Sequence, residues 1–201
     1  MNKIFSRQDL MVISVLILAV IGLTAYQFSQ PVKYAGALIS PSKAMPEFSL
    51  QSAQGPVTLS SLSGKLVVLY FGYTSCPDIC PLTLANLRQA MDKIGDKAKE
   101  VQVLFISVDW KRDTPEKLAS YAAAFRPDFI GITGSQSQID SVTKDFGIFY
   151  MLNLPDKNGY YSVDHTATVL VLDRNGALTL TWPNGIQPDL MASDLIKLLK
   201  Q

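Results

Sequence analysis

Leu66-Val67-Val68-Leu69-Tyr70-Phe71 runs through Gly72-Tyr73-Thr74-Ser75 into Cys76-Pro77-Asp78-Ile79-Cys80-Pro81, and this junction decides the fold. Six apolar residues without polar alternation predict a strand buried on both faces. Beyond Pro81, Leu82, Leu84, Leu87, Met91 and Ile94 recur at helical intervals, and Pro81 suits a first helical turn. A buried strand, a cysteine loop and an amphipathic helix follow one another without a break.

Working outward, Val101-Gln102-Val103-Leu104-Phe105-Ile106-Ser107-Val108 predicts a second buried strand. Thr114-Pro115-Glu116 opens a helix with a capping residue and a first-turn proline, and apolar positions continue to Phe125. Phe129 to Thr133 reads as a short strand and Ser135 to Phe146 as a helix. Thr166 to Leu172 and Ala177 to Trp182 form a hairpin about Asp173-Arg174-Asn175-Gly176, and Asp189 to Leu199 closes with an amphipathic helix. Upstream, Phe48-Ser49-Leu50 and Val57-Thr58-Leu59 are short strands around a Gly55-Pro56 turn. A βαβα start with parallel crossovers, then a hairpin and a last helix, predicts an α/β thioredoxin-like sandwich over 46–201. Ligands in such sheets gather outside the carboxyl ends of strands, where the cysteine loop leaves.

The chain has two cysteines, Cys76 and Cys80, and one histidine, His165, in Val163-Asp164-His165-Thr166. Residues at i,i+4 share a helix face, with Cβ atoms about 5–6 Å apart. Two thiolates so placed can meet one metal ion, and an imidazole supplied by the fold completes a soft site suited to copper, Cu(I) above all. A structural disulfide is the plainer use of two cysteines outside the cytoplasm. A loop this short removes little unfolded-state entropy, so a disulfide here fits a redox state better than a staple. His165 on its own reads as an ordinary histidine bonded near Asp164. Its place before a sheet strand, where thioredoxin-like reductases carry a cis-proline, shifts the reading toward a ligand.

With 201 residues, 18 basic against 17 acidic and a net charge of +1, the chain offers no electrostatic case for nucleic acid. Leu10 to Phe28 carries no charge. A helix over it spans about 28 Å, close to the bilayer hydrocarbon thickness. Lys3 and Arg7 precede it, which keeps the short N-terminus cytoplasmic and places the rest outside. Residues 1–30 therefore read as a single-pass anchor in the inner (plasma) membrane with the domain facing the periplasm or its equivalent. The competing reading is a cleaved signal ending near Ala35-Gly36-Ala37. Residues 31–45, with Pro31, Ser40, Pro41 and Ser42, read as a linker.

These pieces together resemble the Sco/SenC family of copper-binding proteins involved in cytochrome c oxidase assembly. The likeness rests on Tyr70 to Pro81, on Ser107-Val108-Asp109 leading to Arg112-Asp113-Thr114-Pro115, on Ile130-Gly131-Ile132-Thr133-Gly134 and on Val163-Asp164-His165-Thr166. It implies a thioredoxin fold on one membrane anchor. It also implies that Cys76, Cys80 and His165 bind copper, Cu(I) or Cu(II), for delivery to the dinuclear copper centre of cytochrome c oxidase subunit II, with a copper-donor protein upstream. Trp110-Lys111 departs from the proline and acidic residue common after Val-Asp in that family. Asp78 and Asp164 match family acidic positions beside the ligands. The alternative is a thiol–disulfide oxidoreductase using Cys76 and Cys80 as an attacking and resolving pair on the oxidase cysteines. A peroxidase, suggested by Thr74 two residues before Cys76, lacks a clear activating arginine. Tyr160-Tyr161 reads as a loop's hydrophobic anchor, and Asp109 to Asp113 as a charged turn.

Overall fold

The computed structural model describes the backbone of residues 7–29 and 32–201, and side chains over 8–23 and 32–201. Two units emerge, 1–33 and 34–201. In the first, α1 (Arg7–Ser29) is the helix expected of the charge-free stretch, and its described apolar side chains are exposed. Among the described residues no helix is long and apolar enough to cross a membrane. Lys3, used to orient the anchor, and Pro31 lie outside the described residues.

The second unit runs through β1 (Ala37–Ala44), β2 (Ser49–Ser52), β3 (Gly55–Thr58), β4 (Leu66–Gly72), α2 (Ile79–Ile94), β5 (Val101–Ser107), α3 (Pro115–Phe125) and β6 (Ile130–Ile132). It continues with α4 (Gln136–Phe146), β7 (Tyr150–Leu152), β8 (Val163–His165), β9 (Val169–Leu172), β10 (Ala177–Trp182) and α5 (Pro188–Leu198). Six strands form one sheet in the order β1-β10-β9-β4-β5-β6. The three strands β4, β5 and β6 are parallel, and β9 joins β4 antiparallel, which is the mixed sheet the βαβ start and late hairpin imply. Every residue of β4 and β5 is buried, the reason β4 reads as an unbroken apolar run and β5 as an apolar run broken by Gln102.

Helix α2 buries Cys80, Thr83, Leu84, Leu87, Ala90, Met91 and Ile94, one stripe at helical spacing, and packs against α5. Thr114 caps α3 by accepting from the Lys117 N–H, and Ser135 with Gln138 forms a reciprocal capping box on α4. Gly147 ends α4 at φ +70°, the left-handed position that favours glycine.

The linker expected over 31–45 is corrected in part: it holds β1, an edge strand paired antiparallel with β10, and the folded unit starts at Tyr34 rather than 46. The strand escapes a reading by hydrophobic alternation because its side chains are almost all exposed. It is held through its backbone instead. Just upstream, the buried Asp194 carboxylate of α5 accepts from Ala35 N–H at 3.0 Å, Gly36 N–H at 2.9 Å and Trp182 Nε1–H at 3.1 Å. A Cβ on Gly36 would meet the Trp182 ring at 2.6 Å, so only glycine lets the chain pass there. Pro41 and Lys43 stand on this edge, residues that discourage further strand pairing.

Candidate metal centre

The cysteine loop leaves the carboxyl end of β4, and α2 begins at Ile79 with Cys80 in its first turn. Cys80 is fully buried and Cys76 half-buried, and both are free thiols. Gly72 makes the seat for Cys80: a Cβ there would stand 2.8 Å from its Sγ and 2.8 Å from the Phe105 ring. The Cys80 amide points at Cys76 Sγ at 3.5 Å, so the start of α2 presents an N–H to a sulfur.

The two sulfurs are electrostatically unlike. Cys76 is drawn down to about 5, first because the Cys80 thiol donates to it, then through the amides of Asp78 and Cys80 and the nearby His165, against the opposing effect of burial. Cys80 is pushed up by that same bond and by its burial. The metal-free pair is therefore a Cys76 thiolate beside a Cys80 thiol. The Tyr70 hydroxyl, in turn, donates to Cys80 Sγ at 3.6 Å.

His165 arrives from the other side. It ends β8, which pairs only with β7 in a separate two-stranded sheet, Tyr150 opposite His165. Its Nε2 lies 3.5 Å from Cys80 Sγ and its Nδ1 lies 3.1 Å from the Thr166 carbonyl oxygen. A carbonyl only accepts, so Nδ1 carries a proton and Nε2 is the ring nitrogen turned to the sulfurs, the one a metal would use. Tyr70 and Tyr73 fix the ring edge-on, with centroids 6.2 and 6.0 Å away. Cys80 is thus the shared neighbour of Cys76 and His165. Among the described residues, no group of three or more His, Cys, Asp or Glu side chains is gathered as a ready metal-holding cluster. Asp78 and Asp164 are exposed.

A second constellation supports the loops from below. Asp113 is buried and accepts from Thr74 N–H at 2.8 Å, Ser107 Oγ–H at 2.6 Å and Lys117 Nζ at 2.9 Å. Burial pushes its carboxyl up, but these donors outweigh that and hold it below the usual carboxylate range. Asp109, also buried, accepts from Arg112 and from the Tyr161 hydroxyl at 2.7 Å. The stretch read as a charged turn is therefore a buried brace, and Tyr161 is more than a loop's apolar anchor. The motif Asp109 to Asp113 was visible in the sequence, but its burial was not, because both acids lie in a loop with no periodicity. Lys111 stands 5.1 Å over the Trp110 ring on the outer side of the same turn.

The SCO1/SenC family model matches residues 37–200, which take in the cysteine loop, the Asp109–Asp113 brace and the His165 hairpin. The chain belongs to the SCO1/SenC family. An SCO2-like protein of Rickettsia felis is 39% identical over 132 residues, 65% of this chain and 64% of that protein's length. Among solved structures, apo Sco1 of Thermus thermophilus is 40% identical, covering 83% of this chain and 94% of that one, with a TM-score of 0.71. ScoI of Bradyrhizobium japonicum with copper bound is 34% identical, over 77% and 99% of the two chains, with a TM-score of 0.71. Copper-bound ScoI of Arabidopsis thaliana is also 34% identical, over 78% and 98%, with a TM-score of 0.73. The thioredoxin-like sandwich read from the sequence is the fold this SCO1/SenC protein has.

Proposed function

We propose that this SCO1/SenC protein is a membrane-tethered, extracytoplasmic copper chaperone. It delivers copper to the dinuclear copper site of cytochrome c oxidase subunit II, and it carries the ion on Cys76, Cys80 and His165. The observation that carries the reading is the 3.5 Å approach of His165 Nε2 to Cys80 Sγ beside the Cys76 thiolate. Soft sulfur and one imidazole select copper over hard cations, and two thiolates alone satisfy Cu(I). Loading costs one proton, that of Cys80, since Cys76 is already ionised at neutral pH. Burial of Cys80 against Tyr70 and Gly72 limits water at one sulfur, whereas half-exposed Cys76 is where an accepting thiolate can enter for ligand exchange. Structures of related Sco proteins with copper bound support the metal assignment. The charge-free Leu10 to Phe28 supports the tether. An alkaline carbonate wash should leave the full-length protein with the membranes.

The asymmetric thiolate–thiol pair also favours a second reading, a reductase in which Cys76 attacks a partner disulfide and Cys80 resolves the mixed disulfide. One experiment separates the two. Cells lacking the protein should regain oxidase activity with added copper and gain little from added thiols. Recovery with thiols alone, together with full rescue by His165→Ala at low copper, would favour the reductase.

A further inference from the structure

His165 depends on a hairpin that is poorly equipped to hold itself. A two-stranded ribbon is marginal in water, and β7 and β8 are each three residues long and joined to no other strand. At the end where Tyr150 stands opposite His165 it is tied to α4, the Tyr150 hydroxyl donating to Asp140 at 2.5 Å. At the opposite end, where Tyr161 leads into β8, the tie is Arg112. Its guanidinium lies 3.5 Å over the Tyr161 ring, its Nη1 donates to the Tyr161 carbonyl at 2.8 Å, and its Nε donates to buried Asp109. Tyr73 and Tyr160 flank the same cation at 5.8 and 5.7 Å. Nη2 is buried with no hydrogen-bond partner, as expected of an edge turned toward aromatic faces. Tyr160 completes the tie by donating to the Ser75 carbonyl at 3.4 Å, next to Cys76. One planar cation thus joins the turn after β5, Tyr73 at the start of the cysteine loop and the segment that leads into the strand ending in His165.

Resting on the copper reading above, we infer that Arg112 is a positioning residue that sets the His165 imidazole against the two sulfurs and thereby determines how well the site holds Cu(II). It touches no ligand. It acts through Tyr161, four residues before His165, and through Tyr73. Cu(II) draws on the imidazole, whereas Cu(I) is satisfied by the two thiolates. Loss of Arg112 therefore separates the two oxidation states. Lysine keeps the charge but neither the planar stack nor the paired donors.

The test uses the full-length chain in detergent, titrated with Cu(II) and with Cu(I) under competing chelators, for wild type, Arg112→Met, Arg112→Lys and His165→Ala. Arg112→Met should weaken Cu(II) roughly 10–100-fold, the usual effect of removing a group that orients a ligand. Cu(I) affinity should change less than about threefold, on the reasoning that thiolates alone satisfy that ion. The Cu(II)–thiolate absorption band should shift, and amide exchange across 150–165 should speed up in the metal-free protein. Arg112→Lys should recover only part of the loss. If Arg112→Met leaves Asp109 unpaired and fails to fold, Asp109→Asn/Arg112→Met removes both charges and takes the same measurements. Unchanged Cu(II) affinity in the folded variant, or an equal loss of both oxidation states, overturns the inference. His165→Ala distinguishes the levels: if it keeps wild-type Cu(II) affinity, the ligand reading is what fails.

Discussion

At the scale of single residues, the site is governed by two sulfurs with opposite proton preferences. The Cys76 pKa is lowered on folding, so its thiolate and the associated stability are present above the unfolded value of about 8.5 and are lost as pH falls through about 5. In the metal-free protein, the alkylation rate at Cys76 should stay high from pH 8 down to about 6 and drop with an inflection near 5, read by mass spectrometry of the labelled peptide. Cys80 should resist the same reagent throughout. An inflection at Cys76 near 8.5 would remove the thiolate–thiol pair. Gly72 gives a second expectation. Gly72→Ala drives a methyl into Cys80 Sγ and the Phe105 ring, and overpacking of this kind destabilises by about 1–3 kcal/mol. The variant should unfold at lower denaturant and bind copper more weakly than an equally destabilised variant remote from the site. The sequence displayed Cys76, Cys80 and His165 because they are the chain's two cysteines and its one histidine. It did not display what Tyr70, Arg112 and Tyr161 do, because those roles exist only once three separate loops meet.

At the scale of elements, what was legible followed periodicity. Strand β4 announced itself as an apolar run and β5 as one broken by Gln102, and helices α2 to α5 through stripes, caps and first-turn prolines. Strands β1, β7 and β8 went unread for one physical reason: they are held by backbone ladders and by distant side chains, and their own side chains carry little alternation. Asp194 is the clearest such distant side chain. Asp194→Ala leaves the Ala35 and Gly36 amides and the buried Trp182 Nε1–H without their acceptor, and an unmet buried donor costs about 1–3 kcal/mol. Partial solvation of the strand edge should bring the total to about 3 kcal/mol, measured as a lower urea midpoint at unchanged m. An unchanged midpoint would mean that Asp194 does not secure the entry of the chain into the sheet.

At the scale of the whole molecule, one sheet carries the loop that holds both cysteines, and a small separate ribbon brings the histidine. The 34–201 unit closes on its own edge strand, so a fragment starting at residue 34 should unfold cooperatively, whereas one starting at 46 exposes the edge of β10 and should be less stable and prone to associate. Sedimentation and urea unfolding of the two fragments decide this, and equal stability would return residues 37–44 to the status of a linker. The central claim is that two thiolates and one imidazole hold one copper ion, and the most direct measurement is copper stoichiometry with Cu(II) spectroscopy on the full-length chain and on Cys76→Ser, Cys80→Ser and His165→Ala. One copper per wild-type chain is expected, with Cu(I) binding lost in either serine variant and the Cu(II)–thiolate band lost in His165→Ala while Cu(I) persists. A wild-type Cu(II) spectrum and affinity in His165→Ala, or full copper loading without Cys76 or Cys80, would contradict it.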